Sequence, residues 1–314
     1  MRLIHTETLR LVEFVRDADI PPYAILSHTW GRDEITFQEW QFLWLTSAKR
    51  GFRKVLSACR RAECDGLDWL WVDTGCIDKT SSAELSEAIN SMFSWYAKSQ
   101  ICYAYLSDVP TVDKDEEIML EEFGNSLWFT RGWTLQELLA PEQVIFYSAD
   151  WMKIGHRADP FLSKRIHDAT GISPWFLGNF LDLPPKTRLS PLRASAAQRM
   201  SWVSRRETTR PEDHAYCMLG LFDINMPLIY GEGTQAFMRL QEEIIKWDND
   251  QSLFCWKWNG TVVPRNWNSF LAPHPAVFWE TNSIVSKHTS TGGLSTCISI
   301  YAMTNGGISM ELPV

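Results

Sequence analysis

The chain has 314 residues, 45% of them hydrophobic and 22% charged, with a formal net charge of -8. This is the balance of an ordinary globular protein, long enough for one large domain or two moderate ones. No long cluster of Lys and Arg is present, so nucleic acid is a poor partner, and no apolar run approaches the roughly 20 residues of a membrane span. The opening "MRLIHTETLRLVEF" lacks the unbroken apolar core of a signal peptide. Seven Cys without a CxxC pair suit a reducing compartment, so a cytoplasmic location is expected. The 16 Trp stand out and predict deep aromatic packing around a lined pocket.

Taken in chain order, "LIHTETLRLVEF" alternates loosely and reads as a hairpin. Tyr23–Ser27 is a compact apolar run, a buried strand ending in "SHTWG". "DEITFQEWQFL" has helical spacing. In "GFRKVLSACRRAEC" Phe52, Val55, Leu56 and Cys59 share one helix face. "LDWLWVD" (67–73) is a second buried strand. "SAELSEAINSMFSWYAKS" is the clearest helix, with Ser82 as expected N-cap and Leu85, Ile89, Met92, Phe93 and Tyr96 facing inward. "ICYAYLSDV" (101–109) is a third strand, "DKDEEIMLEEFG" an acidic loop and "EQVIFYS" (142–148) a fourth strand.

Between the last two strands lies "RGWTLQELLAP". It predicts a short helix over 133–139, stopped by Pro141. Leu135, Leu138 and Leu139 form an apolar stripe, with Trp133 and Glu137 on the other side. A Glu opposite such a stripe usually faces solvent, whereas a Trp there needs an apolar partner or a ligand.

Strands alternating with helices predict an α/β fold with a parallel sheet covered on both faces, and ligands of such sheets bind beyond the strand carboxyl ends. Residues 1–150 are expected to form this core, and 151–314 a mainly helical extension with a β-rich end. In that extension 158–170, 194–204, "PEDHAYCMLGLF" and "GTQAFMRLQEEIIKW" read as helices, separated in part by the Pro-rich "LPPKTRLSPL". "SLFCWKW", "LSTCISIYAM" and "ISMELPV" read as weak strand and loop. Arg210, Glu212 and Asp213 are expected to make helix-start contacts around Pro211. His5, His28, His156, His167, His214, His274 and His288 show no ligand spacing, so no metal is expected. "YGEG" lacks the spacing and the Lys of a phosphate loop.

"PPYAILSHTWG", "LWVDTGCIDK", "SAELSEAINSMFSWYAKSQICYAYLSDV", "RGWTLQELLAP" and "SRRETTRPEDHAYCMLGLFDINMPLIYGEGTQAFMRLQEEIIK" follow one another in the order of a fungal heterokaryon-incompatibility (HET) domain, which the chain resembles to about residue 247. Gly75 stands where that family usually has the first of two cysteines. HET domains are in turn distantly similar to Toll/interleukin-1 receptor (TIR) domains, which implies a flavodoxin-like sheet. "RGWTLQEL" resembles the plant TIR pattern of Trp, Cys, Leu, any residue, Glu and Leu, with Thr134 in place of the Cys.

In catalytic TIR domains that Glu serves NAD cleavage, so the resemblance implies a catalytic Glu137 with NAD as substrate and no cofactor. Cleaving the nicotinamide–ribose bond passes through an oxocarbenium-like state and releases a neutral base, for which one carboxylate suffices. Trp133 is a candidate to stack on a ring of the ligand. Ser27, His28, Trp30 and Gly31 are candidates to hold phosphate or ribose, and Asp73 to accept a hydroxyl. The family role implies a cell-death effector in non-self recognition, working as a homo-oligomer under an upstream receptor. The alternative is a non-enzymatic death-signalling module acting by homotypic association, with Glu137 and Trp133 at an interface.

Overall fold

The computed structural model describes residues 1–110, 116–178, 189–285, 301–304 and 307–310. Seven strands form one sheet: β1 (Arg2–His5), β2 (Leu11–Glu13), β3 (Ala24–His28), β4 (Trp69–Trp71), β5 (Ile101–Tyr105), β6 (Val144–Tyr147) and β7 (Lys153–His156). Their spatial order is β2-β1-β4-β3-β5-β6-β7. The four central strands pair in parallel. In chain order they run second, first, third, fourth, the flavodoxin-like arrangement, with its reversal between β3 and β5. The hairpin β1–β2 adds one antiparallel edge through β4, and β7 adds the other through β6. The short connections from β1 to β2 and from β6 to β7 allow only antiparallel pairing of those neighbours.

The main helices are α1 (Arg50–Cys64), α2 (Ser82–Lys98), α3 (Glu116–Gly124), α4 (Thr134–Leu139), α5 (Pro160–Thr170), α6 (Ala196–Val203) and α7 (Gln235–Trp247). α1 buries Phe52, Val55 and Cys59, the face its spacing predicts. The cap of α2 is Ser81 rather than Ser82: the Ser81 side chain accepts the Glu84 N–H at 3.3 Å from an extended backbone outside the helix. The segment read as an acidic loop is helical from Glu116, because Phe123 anchors it in an aromatic cluster with Phe129 and Phe146. Residues 113–115 of that segment lie outside the described residues. "PEDHAYCMLGLF" forms two single turns, Asp213–Tyr216 and Leu219–Phe222, instead of one helix. "SLFCWKW" opens with a 3-10 turn, Gln251–Phe254. Leu183–Arg188 of the Pro-rich segment, His288 and most of "LSTCISIYAM" lie outside the described residues; Tyr301–Thr304 (β8) and Gly307–Met310 (β9) pair antiparallel. Among the described residues no helix is long and apolar enough to cross a membrane.

The pleat of β3 sends consecutive side chains to opposite faces. Ser27 points to the face covered by α2 and α4, where Trp71 of β4 also packs edge-on against Trp95 and Tyr96 of α2. His28 points to the α1 face, between Glu34, Asp73 and the region of Lys54. Trp71, Trp128 and Trp202 are among the largest fully buried side chains, so part of the Trp surplus is core.

Candidate active site

α4 is buried along its whole length, which its leucine stripe alone does not require. Leu135, Leu138 and Leu139 enter the core, and Glu137 on the opposite side is only 7% exposed. The Glu137 carboxylate accepts the Ser27 hydroxyl at 2.5 Å. Ser27 in turn accepts the Trp128 indole N–H at 2.8 Å, so its single proton is aimed at Glu137. Burial is the main reason the Glu137 carboxyl titrates at about 8 instead of 4.5, and the negative charge of Asp73 adds to it. Hydrogen bonds from Ser27 and Tyr96 and the positive charge of Arg206 work in the opposite direction.

Arg206 is itself buried, at 4% exposure. It donates to the carbonyls of Arg131 (2.8 Å) and Trp202 (3.1 Å) and to the Thr134 hydroxyl (3.0 Å). Thr134 donates to the Trp128 and Arg131 carbonyls. This lattice sets the first turn of α4, and so the direction in which Glu137 points. Burial lowers the Arg206 pKa to about 10.

Glu137 borders a 340 Å³ cavity beyond the carboxyl ends of β3 and β4. One wall is α2, with Leu85, Ile89, Met92 and Tyr96; another carries Trp133, Thr209, Arg210, Asp213 and Tyr230. His28, Trp30, Asp73, Lys79 and Arg131 also belong to the polar part of the lining. The Asp73 carboxylate accepts the Trp30 indole at 2.9 Å and the Lys79 ammonium at 3.2 Å, and Lys79 sits 3.4 Å from the centre of the Trp30 ring. Burial pushes the Asp73 pKa up, but Lys79 and His28 outweigh it and hold the carboxyl below its usual range.

The His28 ring is buried, and neither of its nitrogens has a hydrogen-bond partner. Glu34 and Asp73 lie 3.7 and 3.9 Å from Nε2, beyond hydrogen-bonding reach. Desolvation, with Lys54 nearby, lowers the His28 pKa to about 4, so the ring is neutral at pH 7. Glu34 is already matched by Lys54 at 2.6 Å, and Asp73 by Lys79. Among the described residues no group of three or more His, Cys, Asp and Glu is arranged to hold a metal ion.

Of the residues singled out from sequence, His28, Trp30, Asp73, Trp133 and Glu137 line this one cavity. Ser27 does not line it; fully buried, it supports Glu137 from behind. Gly31 is also absent from the lining, and its N–H is taken by Glu34 at 2.8 Å. The Cys76 thiol is buried, accepts the Val72 N–H at 3.5 Å and has its pKa pushed up to about 12, which leaves it an inert packing group. After β5, Asp108 holds Ser126 and Leu127 and is not part of the cavity lining.

Sequence reasoning missed Tyr96 as a polar partner, and it missed Lys79, Arg131, Thr209 and Tyr230. It placed Arg210, Glu212 and Asp213 at a helix start. Glu212 and Asp213 do open the turn Asp213–Tyr216; in addition Arg210 and Asp213 line the cavity, and Glu212 accepts the Gly231 and Gly233 N–H groups at 2.8 and 2.9 Å. The density of charged and aromatic residues in "TTRPEDHAY" was the available signal, but no periodicity connects it to Glu137.

These features define an α/β protein with a ligand cavity at the carboxyl edge of a flavodoxin-like sheet, bordered by a buried carboxyl group. Residues 23–119 match the family described as Heterokaryon incompatibility protein (HET), and residues 235–267 match a domain of unknown function (DUF8212). Vegetative incompatibility protein HET-E-1 of Podospora anserina is 44% identical over 258 residues, covering 79% of this chain and 18% of that protein. No solved structure gives a significant match. The chain belongs to the heterokaryon-incompatibility (HET) family.

Proposed function

We propose that this domain is the effector of an incompatibility response and that it acts by hydrolysing NAD at the nicotinamide–ribose bond. The observation that carries this reading is a buried carboxyl group, Glu137, held by Ser27 at the edge of a cavity with aromatic and cationic walls. The incompatibility role rests on the name of the similar protein HET-E-1, of which this chain spans 18%. The catalytic role of Glu137 rests on the resemblance to TIR domains.

The chemistry follows from the environment of Glu137. An empty cavity favours its neutral form. A cationic nicotinamide ring beside it favours the carboxylate, so binding readies the charged group. The carboxylate then stabilises the positive charge that develops on the ribose as the C–N bond breaks. Nicotinamide leaves with the bonding electron pair as a neutral base. Water adds to the sugar carbon, and the products are nicotinamide, ADP-ribose and a proton. Trp133 and Trp30 offer ring faces for stacking. His28, with its unpartnered nitrogens, and Asp73 offer contacts for ribose hydroxyls. Residues 151–314 contribute part of the cavity wall, and the active form is a homo-oligomer responding to an upstream receptor in the cytoplasm.

The test is nicotinamide release by concentrated or artificially clustered protein. Wild type is expected to consume NAD and Glu137→Ala to consume none while remaining folded. Nicotinamide release by the Glu137→Ala protein at the wild-type rate would end this reading.

A further inference from the structure

The cations around the cavity are not equivalent. Lys79 is committed to Asp73 and to the ring of Trp30. Arg131 and Arg210 are not matched in this way: among the described residues neither has a carboxylate within 4.0 Å. The backbone brings them together. Gly132 N–H donates to the Glu207 carbonyl at 2.9 Å and Glu207 N–H to the Thr130 carbonyl at 2.6 Å, a short bridge that ties the entry to α4 to the 207–210 segment. Across that bridge the Arg131 guanidinium donates to the Thr209 hydroxyl at 3.2 Å, and the next residue is Arg210. The Arg210 guanidinium rests 4.4 Å from the centre of the Tyr230 ring. Asp213, the acid of the same segment, is engaged by the Tyr230 hydroxyl at 3.0 Å and by Trp133.

Neither guanidinium is locked in an ion pair, although Arg210 feels the charges of Glu212 and Asp213 at longer range, and both line the cavity. Each presents a planar fork of N–H donors suited to bidentate contact with phosphate oxygens. We propose that Arg131 and Arg210 form a phosphate clamp on the cavity wall, selecting a ligand that carries a phosphate or diphosphate ester. The proposal rests on reading the cavity as a nucleotide site and adds a polarity to it. The diphosphate is held between two segments some 80 residues apart, leaving the cationic ring for Glu137. A nucleoside without phosphate loses this anchor.

The clamp is tested by calorimetric titration with ADP and with inorganic pyrophosphate, neither of which carries the nicotinamide–ribose bond. Wild type is expected to bind both, and R131Q and R210Q each to weaken ADP binding by about tenfold or more. R205Q is the matched control: Arg205 lies against Trp279, at 5.6 Å, and is absent from the cavity lining. It is expected to bind ADP as wild type does. ADP affinity equal in wild type, R131Q and R210Q overturns the clamp, as does a wild type that fails to bind ADP at millimolar concentration. Arginine-dependent ADP binding by protein that releases no nicotinamide from NAD upholds the clamp and removes only the hydrolase reading. In protein that does cleave NAD, R131Q and R210Q are expected to lower kcat/KM for NAD far more than for nicotinamide riboside; equal loss for both counts against the clamp alone.

Discussion

Ser27 and Glu137, 110 residues apart in the chain, meet in a buried 2.5 Å hydrogen bond that joins the end of β3 to the back of α4. The same Ser27 oxygen accepts the indole proton of Trp128, so one hydroxyl serves both the core and the cavity.

Ser27→Ala is expected to act on both sides of this link. It leaves the fully buried Trp128 indole without an acceptor, at a cost of about 1–3 kcal/mol. It also removes a donor that favours the ionised carboxylate, so the Glu137 titration midpoint rises above that of wild type. Denaturant unfolding measures the first effect, and carbon-detected NMR titration of the Glu137 carboxyl the second. An unchanged midpoint would show that the hydroxyl does not govern the acid.

Glu137 also predicts how stability depends on pH. Its folded pKa, about 8, is above the ordinary 4.5, so across that interval the native state holds a proton that the unfolded state has released. Stability therefore falls as pH rises from about 4.5 to about 8, by an amount on the order of a few kcal/mol. Glu137→Gln removes this dependence while keeping a polar group of the same size. Its stability advantage over wild type is expected to be small at about pH 5 and larger at about pH 8. A constant difference between the two proteins across this range contradicts the prediction.

Arg206→Met removes three hydrogen bonds, two at the entry to α4, to the Arg131 carbonyl and the Thr134 hydroxyl, and one to the Trp202 carbonyl of α6. A cost of about 1–3 kcal/mol is expected for the buried acceptors left behind. The loss of positive charge raises the Glu137 midpoint as well, and so moves the rising limb of any NAD-cleavage profile to higher pH. A variant with lower stability but an unshifted profile would restrict Arg206 to a scaffolding role.

Gly220→Ala tests the wall formed by α2. A Cβ on Gly220 would fall 2.0 Å from the Cβ of Phe93, so the turn at Leu219–Phe222 and α2 must separate. The expected destabilisation is about 1–3 kcal/mol or more, from overpacking alone, because no left-handed backbone is involved at this position. Unfolding at wild-type denaturant concentration would show that α2 moves freely against this turn.

Much of the scaffold was legible in the sequence. The strands at 69–71, 101–105 and 144–147 fall inside the stretches that mark them, the strand at 24–28 overruns its stretch by His28, and α1, α2, α4 and α7 follow their spacing. The misread elements have local causes. The α3 segment carries enough acidic residues to read as a loop, and a single contact cluster around Phe123 decides otherwise. The segment from Pro211 to Phe222 has the composition of one helix but breaks into two turns. There Gly220 packs against Phe93 and Asp223 adopts a left-handed backbone.

Periodicity alone set Glu137 and Trp133 on the side of α4 away from its leucines, because the helix repeat depends only on neighbours along the chain. It left open whether that side meets water. The tertiary structure decided this, since burial depends on segments distant in sequence. Ser27 arrives from β3, Tyr96 from α2, and Arg206, Arg210 and Tyr230 from the second half of the chain. Their packing shuts water out, and this burial outweighs the Ser27 and Tyr96 hydrogen bonds and the Arg206 charge, so the acid holds its proton at neutral pH.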